Sequence, residues 1–369
     1  MLIIHSAMIL KPNLENLNIK CYHTVLFLFS VVLATVDLAT DIAVCVTYKK
    51  QNQNLEFAVS LTIILLSLLV TSLVAILWKR QDKKTTTRCD VCCVAVGGAL
   101  RYDVKMAAYC VKKYCCCNLC VKKKGSKDRE KKLQAESLYI KILDGLLEKG
   151  PQLIFQVFVI TVQSTTISFA QAFSPGFSFA SFLWLLSSYQ YFAELESSKQ
   201  TWKMRLAMFV YNGMLVAARF AAIIFFMNRF RLWVIAFVAV HMIIHGAVIQ
   251  LIAFFTKKDP FEDDETDNSD RNKSNIVKQV YYCMLMFALC FMNVLIFICP
   301  RSFKPRFRVI FSFVWYLAVY SIENALLILL YYNFRTQKYG YDKEVLALVI
   351  AGSVIGSVLR FVTQWRNLS

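Results

Sequence analysis

Residues 24–47 read TVLFLFSVVLATVDLATDIAVCVT, an apolar run long enough to cross a bilayer, and two acids, Asp37 and Asp41, sit inside it. A run of this length is read as a spanning helix. On a helix the two acids, four residues apart, share one face and lie one turn from each other. An ionised carboxylate at mid-membrane costs about 2.5–3.5 kcal/mol on insertion scales, so a chain that keeps two has a partner or a use for them. Similar charges recur downstream. Asp144 and Glu148 repeat the spacing of four, Arg219 lies in MLVAARFAAIIFFM, and Glu323 lies in VWYLAVYSIENALLILLYY. Two readings stand. The charges form a hydrophilic track along which something polar moves, or Asp37 and Asp41 pair with Arg219 or another base and tie the bundle together.

The chain is 57% hydrophobic, with a mean hydropathy of +0.50, which a soluble domain of this length would not show. The fold class expected is an all-α polytopic membrane bundle of about eight to nine transmembrane helices with re-entrant or amphipathic helices besides. Spans are read near 24–47, 56–78, 151–167, 170–192, 206–227, 232–255, 277–299, 308–332 and 345–362. Gly150-Pro151 is expected to break the segment 136–167, with Pro151 in the first turn of a new helix, which makes that segment the re-entrant one. The opening residues lack the pattern of a cleavable signal peptide, so the first span is expected to serve as its own anchor.

A net charge of +18 suggests nucleic acid at first, but the basic residues sit in loops between spans, as the positive-inside rule predicts. Their alternation places the N-terminus in the cytosol. The loop 300–308 (PRSFKPRFR) runs against it. The organisation read from this is a cytosolic N-terminus 1–23, a helix group 24–192 holding a basic cysteine-rich cytosolic segment 79–135, a cytosolic linker 193–205, and a second helix group 206–369 holding an acidic loop 257–276. Within 79–135, VCCVAVGGALRYDVKMAAYCV is too polar to span and reads as a helix at the cytosolic face.

Eight of the thirteen cysteines fall in that cytosolic segment, which argues against disulfides. Cys115, Cys116, Cys117 and Cys120 adjoin a lysine-rich run and fit reversible palmitoylation better than zinc, because the Cys-x-x-Cys pairs are too far apart. Asp264-Glu265-Thr266-Asp267 matches a caspase recognition tetrapeptide with cleavage after Asp267, or is an ordinary acidic loop. Asn272-Lys-Ser274 is a formal glycosylation acceptor and so a topology marker. His241 and His245 are one turn apart in an apolar span and read as hydrogen-bonded neutral imidazoles. No nucleotide, phosphate or metalloprotease fingerprint appears, so no enzyme activity, cofactor or metal is expected.

With these residues in hand, the chain resembles the XK-related family of membrane proteins, several of which are phospholipid scramblases switched on by caspases. The resemblance covers roughly 24–366. It rests on Asp37 and Asp41, Arg101-Tyr102, Asp144-Gly-Leu-Leu-Glu148-Lys-Gly-Pro151-Gln152-Leu153, Ser188-Tyr189-Gln190 and Glu323-Asn324. It implies two sequential helix groups, a cytosolic N-terminus, and a stepwise headgroup path carried to Asp37, Asp41, Arg101, Asp144, Glu148, Arg219 and Glu323. Two features depart from the family. Ser188 stands where the family often has Asp, and the cleavage match lies in the 262–268 loop rather than in a terminal tail.

Three functions follow as expectations. The first is an ATP-independent scramblase at the plasma membrane that moves phospholipids such as phosphatidylserine between leaflets, activated by a caspase in apoptosis. Spaced acids and bases would pass ammonium and phosphate groups along while the tails stay in lipid. The second is a secondary transporter or channel for small polar solutes that uses the same carboxylates. The third is a non-transporting membrane subunit. The partners expected are membrane phospholipids, a caspase, and a single-span membrane protein or a second copy of the chain, with no nucleic acid.

Overall fold

The structure is a computed structural model, and it describes residues 21–81, 104–105, 107–108, 137–138, 140–162, 167–194, 201–255, 294, 305–335 and 342–366. Every element among them is helical. In chain order they are α1 (Cys21–Lys50), α2 (Asn54–Gln81), a π-helical turn (Gly145–Lys149), α3 (Gly150–Val162), α4 (Phe169–Glu194), α5 (Trp202–Phe230) and α6 (Trp233–Phe255). Then come α7 (Pro305–Val314), a second π-helical turn (Trp315–Tyr320), α8 (Ser321–Phe334) and α9 (Asp342–Arg366).

Six stretches among the described residues are long and apolar enough to cross a membrane: Val25–Lys50, Asn54–Val74, Phe169–Tyr191, Trp202–Phe230, Arg306–Phe334 and Asp342–Arg366. The expected span 277–299, residue 294 apart, lies outside the described residues. Surface and interior are arranged for lipid. Val32, Leu69, Ile322 and Leu329 are each more than half exposed, while Asp37, Asp41, Arg219 and Asn324 are buried. In water that distribution would be inverted. In hydrocarbon it is stable, because apolar side chains face lipid and polar ones find partners inside. The protein is a multi-pass membrane protein.

The described residues form two compact units, one within Pro12–Gln200 and one within Thr201–Ser369. In the first, α1 packs on α4, and α3 packs on α4 and α2. The link between α1 and α2 is tight. Asn52 takes φ 59°, a left-handed backbone that asparagine tolerates better than most residues, and Gln53 N–H donates to Tyr48 O at 2.9 Å.

Pro151 lies in the first turn of α3, as expected from sequence, but Gly150-Pro151 does not break the helical backbone, contrary to the break expected there. Gly150 is helical at φ −64° and ψ −58°, and its N–H reaches back to Gly145 O, closing the π turn. Helical backbone therefore runs from residue 140 to Val162. A proline normally disrupts a helix by clashing with the carbonyl four residues back. Here that carbonyl belongs to Leu147, inside the wider π turn, where the α register is already interrupted. The apolar part, α3, has 13 residues and rises about 20 Å, short of the ~30 Å hydrocarbon core.

In the second unit α5 is the central helix. It is 67% buried, against 22–50% for the other spanning stretches, and α8 and α9 both pack on it. Thr201 caps its start by accepting Met204 N–H. Gly352 and Gly356 let α9 approach. A Cβ on Gly352 would stand 2.8 Å from Met214 O, and one on Gly356 would stand 2.9 Å from Leu215 Cγ. The small-xxx-small spacing is thus the contact face for α5.

Candidate functional site

In the first unit, α1 meets the helix containing the π turn along a row of buried polar side chains. Lys141 Nζ donates to Ser30 Oγ at 3.1 Å. Lys149 Nζ lies 2.5 Å from Asp37 Oδ2. Gln156 Nε2 donates to Asp41 Oδ1 at 2.8 Å. Positions on the two helices rise together, so the helices run parallel and the contacts form a ladder. From Ser30 to Asp41 the ladder covers about 16 Å of helix rise, near half of a hydrocarbon core.

The same two carboxylates of α1 are also reached from α4. Ser178 Oγ donates to Asp37 Oδ1 at 2.7 Å, and Ser174 Oγ donates to Asp41 Oδ1 at 2.8 Å. Pro175 lies between these serines inside the helix. On α2, Ser60 Oγ accepts from Gln152 Nε2 at 2.5 Å and from Cys45 Sγ at 3.1 Å. Asp144 Oδ2 stands 3.7 Å from Lys149 Nζ, so one ammonium faces two carboxylates. Glu148, on the π turn itself, is buried. The arrangement can hold a charge at several depths, each beside a neutral hydroxyl or amide that a hydrogen bond can pass to.

The second unit has its own polar centre between α5, α6 and α8. Arg219 is fully buried and donates three ways: Nε to Val294 O at 2.8 Å, Nη1 to Asn324 Oδ1 at 2.8 Å, and Nη2 to Glu323 Oε2 at 2.7 Å. Its guanidinium also lies over the Tyr320 ring, 4.9 Å from the centroid, a favourable contact for a desolvated cation. His241 Nδ1 is 3.0 Å from Glu323 Oε1. His245 Nε2 accepts from Trp315 Nε1 at 3.0 Å, and the two imidazole rings are 4.0 Å apart. Asn324 Nδ2 extends the set to Ser353 on α9. Glu323 is the accessible member, its side chain 23% exposed. Lower in α9, Arg360 is buried against Tyr316, donating to its hydroxyl at 3.0 Å.

Of the residues singled out from sequence, Asp37, Asp41, Asp144 and Glu148 gather in the first unit, and Arg219 and Glu323 pair in the second. Arg101, the tetrapeptide Asp264–Asp267 and the cysteines Cys115, Cys116, Cys117 and Cys120 lie outside the described residues. Ser188, where the family often has Asp, is buried and bonds Trp184 O on its own helix. Sequence reading missed Lys149 as the partner of Asp37, and it missed Ser174, Ser178, Gln156 and Trp315. Spacing held a clue for three of them. Gln152 and Gln156, like Ser174 and Ser178, repeat every four residues in apolar helices, as Asp37 and Asp41 do.

Among comparisons with known proteins, the family model described as XK-related protein matches residues 25–362, a range that takes in both polar centres. No curated protein matches the chain.

Proposed function

The chain belongs to the XK-related family, and from that premise we propose that it is a phospholipid scramblase of the plasma membrane, working without ATP and with its N-terminus in the cytosol. The buried ladder along α1 carries the reading. A phospholipid headgroup brings a phosphate, and often an ammonium, into ~30 Å of hydrocarbon. Desolvation there is offset only if fixed charges and hydroxyls replace water along the way. Asp37, Lys149 and Asp41, with Ser174, Ser178 and Gln156, offer such replacements one turn after another. Each already makes at least one hydrogen bond, so a headgroup exchanges with an existing bond rather than falling into a deep trap.

The ladder is closed. Asp37 is 1% exposed, Asp41 0% and Lys149 5%. A headgroup reaches it only if α1 parts from α4 and α3. That suits a scramblase held off until a signal arrives, and a caspase cut after Asp267 is the signal the sequence offers. In the second unit, the three donations from Arg219 favour a role in holding α5 to α8, with Glu323 the most accessible member of the set.

Purified protein in liposomes with a fluorescent phospholipid tests this, before and after caspase treatment. Faster equilibration between leaflets, in either state, supports the scramblase. Acceleration only after a cut at Asp267 supports the switch as well. No transfer in either state from folded protein overturns the reading in favour of a solute transporter or a non-transporting subunit.

A further inference from the structure

The ladder has unused acceptors. Asp41 Oδ2, Gln152 Oε1 and Gln156 Oε1 are buried and have no hydrogen-bond partner among the described residues. The side chains that carry them are 0%, 0% and 1% exposed. They belong to neighbouring side chains of one hydrogen-bonded cluster. Gln152 and Gln156 sit one turn apart on α3, Gln156 bonds Asp41, Gln152 bonds Ser60, and Ser60 bonds Cys45, one turn beyond Asp41 on α1. The amide orientation of Gln156 is fixed by chemistry. Asp41 Oδ1 needs a donor, so Gln156 gives it the NH2 and is left with a carbonyl. With Gln152 giving its NH2 to Ser60, the three unpartnered atoms are oxygens, and what they lack is a donor or a cation.

Among the described residues, four acids line the ladder (Asp37, Asp41, Asp144 and Glu148) beside two lysines, Lys141 and Lys149. Lys149 is committed to Asp37 and Asp144. Among the described residues, no hydrogen-bond donor reaches Asp41 Oδ2.

We propose that Asp41 Oδ2, Gln152 Oε1 and Gln156 Oε1 bind one monovalent alkali cation between α1 and α3. The donor set is oxygen only, which selects a hard cation over a transition metal. The single free carboxylate oxygen selects a monovalent ion over a divalent one, because both oxygens of Asp37 are taken, Oδ1 by Ser178 and Oδ2 by Lys149. Bound there, the cation ties α1 to α3 and helps keep the ladder closed. The binding itself goes beyond the lipid path and does not rest on it.

The test is equilibrium binding of radioactive sodium to the full chain purified in detergent, with choline chloride holding ionic strength constant. Thermal unfolding is followed in sodium and in choline. The expected result is saturable binding of one ion per chain, a rise of a few degrees in unfolding temperature in sodium, and loss of both in Asp41→Asn. Gln152→Met, which removes only one oxygen from the set, is expected to weaken binding by about tenfold. It also decides the matter if Asp41→Asn fails to fold. No saturable binding, or binding unchanged in the variants, overturns the proposal. Displacement of sodium by micromolar calcium overturns the monovalent assignment. A stability gain from lowered pH with no sodium effect overturns it in favour of a proton on Asp41. No lipid transfer is read in any arm, so failure here leaves the scramblase proposal standing, and the reverse also holds.

Discussion

Lys149 Nζ lies 2.5 Å from Asp37 Oδ2, joining residues 112 positions apart in the chain with both side chains almost wholly buried. An ion pair so placed is weak evidence for net stability, since desolvating two charges offsets most of their attraction. Removing one partner is another matter, because the other is left charged and unmatched in a medium that solvates it poorly.

Lys149→Met is therefore expected to destabilise the fold by about 3–5 kcal/mol, and the double variant Asp37→Asn/Lys149→Met is expected to recover much of the loss. Thermal unfolding of the purified proteins in detergent measures both. A double variant as unstable as the single one would mean that the two side chains do not act as a pair.

Lipid transfer is expected to fall at least tenfold in Asp41→Asn/Glu323→Gln, with the protein still eluting as a single folded species, though less stable because Arg219 loses its carboxylate partner. The double variant neutralises one acid in each unit and keeps side-chain volume nearly constant. Wild-type transfer rates from such a protein would remove these acids from the path.

Two glycines should respond in opposite directions. Gly352→Ala forces a Cβ to within 2.8 Å of the Met214 carbonyl, so α9 must move off α5, at a cost of about 1–3 kcal/mol. Gly176→Ala on α4 meets nothing within 4 Å and is expected to gain about 0.4–1 kcal/mol by restricting the unfolded chain. Unfolding midpoints of the two variants make the comparison.

The acidic loop gives a topology prediction. If residues 257–276 face the cytosol, Asn272 in Asn272-Lys-Ser274 stays unmodified in cells, and caspase treatment of sealed inside-out vesicles yields two fragments. Glycosidase-sensitive mass on Asn272 would place the loop in the lumen and take Asp267 out of reach of a cytosolic protease.

Asp37, Asp41, Arg219 and Glu323 were legible from sequence because a charge in a long apolar run has no ordinary explanation. Their partners were harder to read. Ser174 and Ser178 look like any serines in a membrane helix, and only the approach of α4 to α1 gives them their acceptors. Lys149 stands beside Glu148, Gly150 and Pro151, a context that reads as the charged end of a helix. It becomes an interior residue because helical backbone continues through Pro151, and the sequence rule for proline points the other way. His241 was expected to be hydrogen-bonded, yet its contact with Glu323 spans 82 positions and depends on how α6 meets α8. Helix existence followed from composition. Pairing between helices did not, since lipid-facing and core-facing positions are equally apolar over much of each span.

The two π turns, Gly145–Lys149 and Trp315–Tyr320, have a consequence for comparing this chain with its relatives. Such a turn holds one residue more than the α-helix around it, so the face of the helix shifts by about 100° on passing through. Lys141 before the turn and Lys149, Gln152 and Gln156 at its end and beyond it are in different phases of what looks like one helix. A relative without the extra residue can conserve every side-chain role here and still align one position out of step. Glu323, three residues past the second turn, has the same exposure to misalignment. Placing a one-residue gap in each turn, rather than in the loops where gaps are usually put, brings like faces together.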